Sequence, residues 1–385
     1  MAVRDIRVLV VDDSAVVRSI IADSIASQAD MQVVATASDG RQAMEILESV
    51  RPDVITLDIQ MPHMDGLATL DAILARHPIP VIMVSSLTKL GAEITLDALD
   101  RGAVDYLEKP DYGAKTRSAL REELPRKIRA VAGLDVARIL QIRRSRKQRR
   151  DEAFRAANGG LGKRASERQT LSSREKAAAP CPPELADKCI AIGISTGGPP
   201  ALATLFASLR PPLPPIVVVQ HMPPSFTKPL AWRLDSLSGL TIKEAAQGDS
   251  LLPNHVLIAP GGKHLEVRCL GKTVKAIVRD GSPVSGHKPS IDVLMQSVVE
   301  AFGSGCLGVI MTGMGRDGAD GCRAIRAAGG YVLGQDEATS DVYGMNKVAF
   351  VEGNVDRQFA LDEAAALITQ QVRRLRSSRS SSGAA

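Results

Sequence analysis

Aromatic residues are scarce: Phe, Tyr and Trp make up 3% of the 385 residues, with a single Trp. A stacking platform for single-stranded nucleic acid would have few rings to build it from. The five cysteines (Cys181, Cys189, Cys269, Cys306 and Cys322) are odd in number and show neither Cys-x-x-Cys nor Cys/His ligand spacing. That pattern points away from a disulfide framework or a zinc site and towards reduced thiols. No apolar run approaches the roughly 20 residues needed to span a bilayer. The N-terminal apolar stretch is short and runs into Asp12 and Asp13, so no signal-peptide core is present. A soluble, cytoplasmic protein is expected.

What the sequence does contain is a globular profile, 44% hydrophobic and 24% charged, long enough at roughly 150 residues per domain for two or three domains. The net charge of +5 is unevenly spread, because residues 138–176 hold 13 Lys/Arg against 4 Asp/Glu and the rest of the chain is net acidic. The stretch Gln141–Pro183 lacks aliphatic periodicity and ends in Ala-Ala-Ala-Pro-Cys-Pro-Pro, so it reads as a linker. An arm for nucleic acid or anionic lipid is the alternative, but a solvated linker is the commoner origin of such a run. The expected organisation is a first domain over 1–130, a basic linker over 131–185, a second domain over 186–373 and a flexible Ser-rich tail over 374–385.

In the first domain, short apolar runs (Arg7–Val11, Gln32–Thr36, Asp53–Leu57, Pro80–Val84, Val104–Leu107) alternate with amphipathic helical patterns. Five β/α units predict a parallel, doubly wound sheet. Ligands of such sheets sit beyond the carboxyl ends of the strands. The residues found there are Asp12 and Asp13, Asp58, Ser85, and Lys109 followed by Pro110. Clustered carboxylates repel one another unless a cation neutralises them, and a hard, oxygen-liganded ion such as Mg²⁺ suits them. A carboxylate in that setting can accept a phosphoryl group as an acyl phosphate. A single Asp after a strand is commonly just a helix cap, but the whole set with Lys109 is not.

The motifs Val-Asp-Asp-Ser (11–14), Thr-Leu-Asp-Ile-Gln-Met-Pro-His-Met-Asp-Gly (56–66) and Glu-Lys-Pro (108–110) resemble a response-regulator receiver domain over about the first 125 residues. The resemblance implies a flavodoxin-like fold and phosphorylation of Asp58 by a partner histidine kinase. Asp12, Asp13, Asp58 and the Gln60 main-chain carbonyl would surround Mg²⁺, and Ser85 and Lys109 would read the phosphoryl oxygens.

A second α/β alternation begins at Cys189–Ile194 and continues through Ile216–Gln220, a hairpin region around Pro260-Gly261-Gly262, a helix over Ser290–Phe302 and strands at Leu307–Met311 and Tyr331–Gly334. The strand-end rule now selects Ser195, His221 and Asp317. A serine hydroxyl needs a base, and a histidine base needs a carboxylate to hold its tautomer, so the set suits acyl transfer. The residues alone leave alternatives open. Gly193–Gly197 matches the Gly-x-Ser-x-Gly elbow, yet the order Ser, His, Asp is not that of an α/β-hydrolase, and a dinucleotide loop would have glycine at 195. His255, His264 and His287 lie in the same half, although only His221 ends a strand.

Ser-Thr-Gly-Gly-Pro (195–199), Gln-His-Met-Pro (220–223), Ala-Pro-Gly-Gly-Lys-His (259–264), Pro-Ser-Ile-Asp-Val-Leu (289–294), Thr-Gly-Met-Gly-Arg-Asp-Gly (312–318) and Gln-Asp-Glu-Ala-Thr-Ser (335–340) resemble the catalytic domain of the chemotaxis protein-glutamate methylesterases, the CheB family. Gly-Met-Asn (344–346) departs from the family's usual Gly-Met-Pro. The resemblance implies a Rossmann-like domain with a β-hairpin insertion. It also implies hydrolysis of γ-methyl esters on chemoreceptor glutamates with release of methanol, and deamidation of receptor glutamines. Ser195 would be nucleophile, His221 base and Asp317 its orienting acid, with main-chain amides at Thr196 and Met314 holding the oxyanion and no cofactor used in the esterase reaction. No nucleic acid and no membrane insertion are expected. Phosphorylation of Asp58 would relieve occlusion of the Ser195 edge, so deleting residues 1–140 should raise basal activity.

Overall fold

The computed structural model describes residues 5–85, 88–109, 114–145 and 185–377. The chain divides into two compact units, Met1–Arg149 and Arg150–Ala385.

The first unit carries strands β1 (Ile6–Val11), β2 (Met31–Ala37), β3 (Val54–Asp58), β4 (Val81–Ser85) and β5 (Asp105–Glu108) in a sheet of order β2-β1-β3-β4-β5, every neighbouring pair parallel. β3 and β4 are buried at every residue, as near-continuous apolar runs must be when helices cover both faces. Asp39, Asp65 and Thr88 cap the helices Gly40–Val50, Gly66–Arg76 and Lys89–Arg101 by accepting from Gln42, Ala68 and Gly91 N–H groups, which fixes where each helix leaves its strand. The unit runs past the boundary expected at 130. Residues 136–145 form a further helix whose Val136 and Leu140 pack with Val131, Leu124 and Ile128 in the core of this unit. A cut at 140 would pass through it. Residues 146–184, most of the expected linker, lie outside the described residues, as do Pro110 and the tail from 378.

The second unit is a seven-stranded sheet. Its strands are β6 (Cys189–Ile194), β7 (Ile216–Gln220), β8 (Thr241–Glu244), β9 (His255–Ile258), β12 (Cys306–Ile310), β13 (Tyr331–Gln335) and β14 (Arg357–Phe359), ordered β14-β13-β12-β6-β7-β9-β8 and parallel throughout. A separate antiparallel pair, β10 (His264–Leu270) and β11 (Thr273–Arg279), forms the inserted hairpin. Its turn is at Gly271, with φ +65°, and not at Pro260–Gly262 as the sequence suggested. Gly261 answers a different demand, since a Cβ there would lie 2.5 Å from the Met222 carbonyl oxygen. The helix Ile291–Phe302 lays Ile291, Leu294, Met295 and Val298 into the main core beside Val217, Val219 and Ile310.

In each sheet the chain winds one way and then the other. The reversal falls between β1 and β3 in the first unit and between β6 and β12 in the second. Crevices at such switch points are where open α/β sheets bind ligands. Among the described residues, no helix is long and apolar enough to cross a membrane.

Candidate functional site

At the first switch point, the structure brings together Asp12, Asp13 and Asp58, with one carboxylate oxygen of each lying within 4.8 Å of the others. Lys109 Nζ lies 3.0 Å from Asp12 Oδ2 and 2.7 Å from Asp58 Oδ2. Burial and the adjacent charge of Asp12 push the Asp58 carboxyl up to about 6 against the pull of Lys109. Three converging oxygen donors of which two are buried, with a single lysine between them among the described residues, fit a hard divalent cation such as Mg²⁺. Gln60 lies at the same place, its N–H hydrogen-bonded to the Asp58 carboxylate. Ser85 ends β4, and its hydroxyl donates to the Gly91 carbonyl at 3.2 Å.

At the second switch point, Ile194 pairs with Gln220, so Ser195 and His221 are the next residues on adjacent strands. His221 N–H donates to the Ile194 carbonyl (3.1 Å) and Ser195 N–H to the Thr312 carbonyl (3.0 Å). The buried Gln220 amide ties both turns together, donating to the carbonyls of Ser195 (3.0 Å) and His221 (3.1 Å). After Ser195 the chain turns through Gly197, at φ +76°, into the helix Gly198–Ser208. Gly313 admits the loop after β12 against Ser195, since a Cβ there would lie 2.6 Å from Ser195 Cβ.

Asp317 is fully buried. Its Oδ2 accepts from His221 Nε2 and from Ile291 N–H, each at 2.8 Å, and its Oδ1 accepts from Ser290 Oγ (2.8 Å) and Asp292 N–H (3.1 Å). Burial opposes its charge, but His221 and the Ile291 and Asp292 N–H groups hold the carboxyl below its ordinary range. Asp292, buried beside it, accepts from Gly318 and Gly321 N–H groups; burial and then the Asp317 charge drive its carboxyl upwards. With the imidazole proton on Nε2 facing Asp317, His221 Nδ1 is the basic nitrogen, and it is buried with no hydrogen-bond partner among the described residues.

Thr196 follows Ser195 directly and Met314 follows Gly313: the Thr312 hydroxyl lies 3.0 Å from the Thr196 carbonyl, and the Gly313 carbonyl is held by Gly344 and Met345 N–H groups. Of the competing histidines, His255 bonds to the Pro253 carbonyl, and His264 bridges the Ser282 carbonyl and Ser290 N–H. His287 stacks on His221. Ser290 and Asp292, within Pro-Ser-Ile-Asp (289–292), belong to the site although strand-end position does not single them out. The readable signal was a Ser N-cap opening an apolar helix, which the structure shows as Ser290 accepting from Val293 N–H.

Two family models match this chain: the response regulator receiver domain over residues 8–121 and CheB methylesterase over residues 190–368. They define a response regulator whose output domain is of the methylesterase type. A protein-glutamate methylesterase/protein-glutamine glutaminase of Syntrophotalea carbinolica is 42% identical over 94% of this chain and 96% of its own. One of the same name from Archaeoglobus fulgidus is 43% identical over 91% of this chain and 93% of its own. The crystal structure of the Thermotoga maritima CheB methylesterase catalytic domain matches at 38% identity and TM-score 0.47, covering 48% of this chain and 97% of that one. This chain belongs to the protein-glutamate methylesterase/protein-glutamine glutaminase family, as its motifs led us to expect.

Proposed function

We propose that this protein is a phosphorylation-activated serine hydrolase that demethylates glutamate γ-methyl esters of chemoreceptors and deamidates specific receptor glutamines. The observation that carries this reading is the state of His221: Nε2 fixed on a buried carboxylate at 2.8 Å, and Nδ1 buried and unpartnered beside the strand end that bears Ser195. Ser195 Oγ forms a bond to the ester carbonyl carbon while its proton passes to Nδ1, and the Asp317 charge stabilises the resulting imidazolium. The bond to the methoxy oxygen then breaks, and that oxygen takes the proton from Nδ1 and leaves as methanol; from a carboxamide, ammonia leaves. Water gives its proton to Nδ1 as its oxygen bonds to the acyl carbon, and Ser195 recovers a proton as the receptor glutamate departs. The Thr196 and Met314 main-chain amides are the proposed donors to the oxyanion.

In the receiver, an Asp58 oxygen bonds to phosphorus as the bond to the kinase histidine breaks. Asp12, Asp13, Asp58 and the Gln60 carbonyl would hold Mg²⁺, which when bound supplies neutralising charge for the phosphoryl group. Lys109 ion-pairs with that group, and Ser85 exchanges the Gly91 carbonyl for a phosphoryl oxygen. The test is methanol release from methylated receptor fragments by the full chain, with and without a small-molecule phosphodonor and Mg²⁺. Release that rises with phosphodonor is expected, and Ser195→Ala should abolish it while Asp58 is still phosphorylated. No release from protein phosphorylated at Asp58 would overturn the assignment.

A further inference from the structure

The loop from β11 to the helix Ile291–Phe302 folds on itself. Val284 and His287 exchange both main-chain hydrogen bonds (3.0 and 2.9 Å), and between them Ser285 and Gly286 adopt φ +53° and +78°, as a two-residue hairpin turn requires. Its base is tied down. His264 Nε2 bonds to the Ser282 carbonyl (2.9 Å), Lys288 Nζ donates to the Gly281 carbonyl (3.1 Å), and Gly262 N–H donates to the Lys288 carbonyl (3.1 Å). Residues 282–286 are exposed, so this framework serves no core. It delivers one ring: the His287 imidazole lies parallel to that of His221, with centroids 3.7 Å apart and planes 4° apart.

Aromatic pairs left to themselves prefer offset or edge-on arrangements with centroids 4.5–7 Å apart, so a close, parallel sandwich is imposed by the loop rather than chosen by the rings. Its effect falls on the base. The hydrogen bond to Asp317 fixes Nε2, but an imidazole held at one atom can still tilt about that contact, because its torsion next to the ring is soft. Tilt swings Nδ1, the nitrogen proposed to take the Ser195 proton. A parallel ring against the imidazole face removes that freedom.

We infer that His287 is a positioning residue for the hydrolase: by stacking on His221 it fixes the imidazole plane so that Nδ1 faces Ser195 while Nε2 stays on Asp317. The inference rests on the reading of His221 as base. It adds a requirement for a ring at 287 that needs no proton of its own.

The experiment compares the full chain, phosphorylated at Asp58, with its His287→Ala and His287→Phe variants. Methanol release gives kcat and KM, and the low-field proton resonance of the His221–Asp317 hydrogen bond reports the ring directly. Misplacing a reacting group by about an ångström costs up to about 100-fold in rate. Accordingly, His287→Ala should lose about 10- to 100-fold in kcat with KM within about twofold, and its low-field resonance should broaden, whereas His287→Phe should keep kcat within about threefold and retain the resonance. Full kcat in His287→Ala, a loss in KM alone, or an equal loss in folded His287→Phe overturns the inference. If His287→Ala shows no cooperative melt, His287→Phe decides: near wild-type kcat supports the inference and a loss beyond about tenfold ends it. Ser195→Ala separates the two levels, since residual hydrolysis there would refute the triad itself.

Discussion

The Asp317→Asn variant removes one negative charge from the floor of the hydrolase site without removing a heavy atom. A carboxamide has one oxygen where the carboxylate has two, and each carboxylate oxygen here faces a backbone N–H: Ile291 at Oδ2 (2.8 Å) and Asp292 at Oδ1 (3.1 Å). Either amide orientation therefore sets an NH₂ against an N–H. Placing it at Oδ1 gives up the longest of the four contacts, and the Ser290 hydroxyl can turn to accept. Placing it at Oδ2 would give up Ile291 and force the His221 proton onto Nδ1, leaving no base. The first orientation should win. One buried N–H left unpaired costs about 1–3 kcal/mol, which an ordinary domain survives. Catalysis loses the charge facing the imidazolium, and hydrogen bonds to charged groups contribute about 1.5–3 kcal/mol. That converts to a kcat reduced by about 10- to 150-fold. The assay is methanol release at saturating methylated receptor fragment, with thermal melts alongside. Activity retained within about twofold would refute the carboxylate's role, and a loss near 10⁴-fold, as expected for the wrong tautomer, would refute the preference drawn from the hydrogen-bond lengths.

Asp292→Asn tests a proton. A carboxyl raised by burial and by Asp317 contributes stability that is complete below its usual 3.8 and is lost as pH rises through the raised value. Melting temperature should thus fall with rising pH more steeply in wild type than in Asp292→Asn, and parallel curves would exonerate Asp292. Asp58→Asn should abolish the response to phosphodonor, leave basal methanol release unchanged and leave the urea midpoint unchanged or higher, since one of three crowded carboxylates is neutralised; continued stimulation would place the acceptor elsewhere. Gly313→Ala sets a Cβ 2.6 Å from Ser195 Cβ and also against Met345 Sδ. Such overpacking costs about 1–3 kcal/mol, so kcat should fall at least about tenfold while Asp58 phosphorylation, followed by radiolabel, is untouched.

The strands were legible wherever both sheet faces are covered, because Val54–Asp58 and Cys189–Ile194 are unbroken buried runs, and with them came the residues at their ends. The short edge strands Thr241–Glu244 and Arg357–Phe359 have no such run. The helix Pro224–Leu237 was obscured by its two leading prolines and by the interior Pro229, which reads as a break. Pro260-Gly261-Gly262 looked like a hairpin turn because glycine signals both turning and close approach, and here the second demand governs. His287 and Asp292 escaped for another reason. Neither ends a strand; each reaches the site from a loop or a helix start far away in the chain, and sequence distance conceals contacts of that kind.

The order β12-β6-β7 also decides how the imidazole is worn. His221 stands at the end of the strand beside that of Ser195, whereas its carboxylate partner Asp317 belongs to the loop beyond the next strand over. In the proposed mechanism the nearer errand falls to Nδ1, a bond closer to the backbone, while the longer reach to the carboxylate is made by Nε2. In the chymotrypsin arrangement, a worked case of triad geometry, those duties are reversed. Methylating one ring nitrogen would consequently strike opposite functions in the two kinds of enzyme: at Nε2 it would silence the base there but cut the tether here, and at Nδ1 the reverse. Strand order, a property of the sheet, thus sets the regiochemistry of the proton transfer.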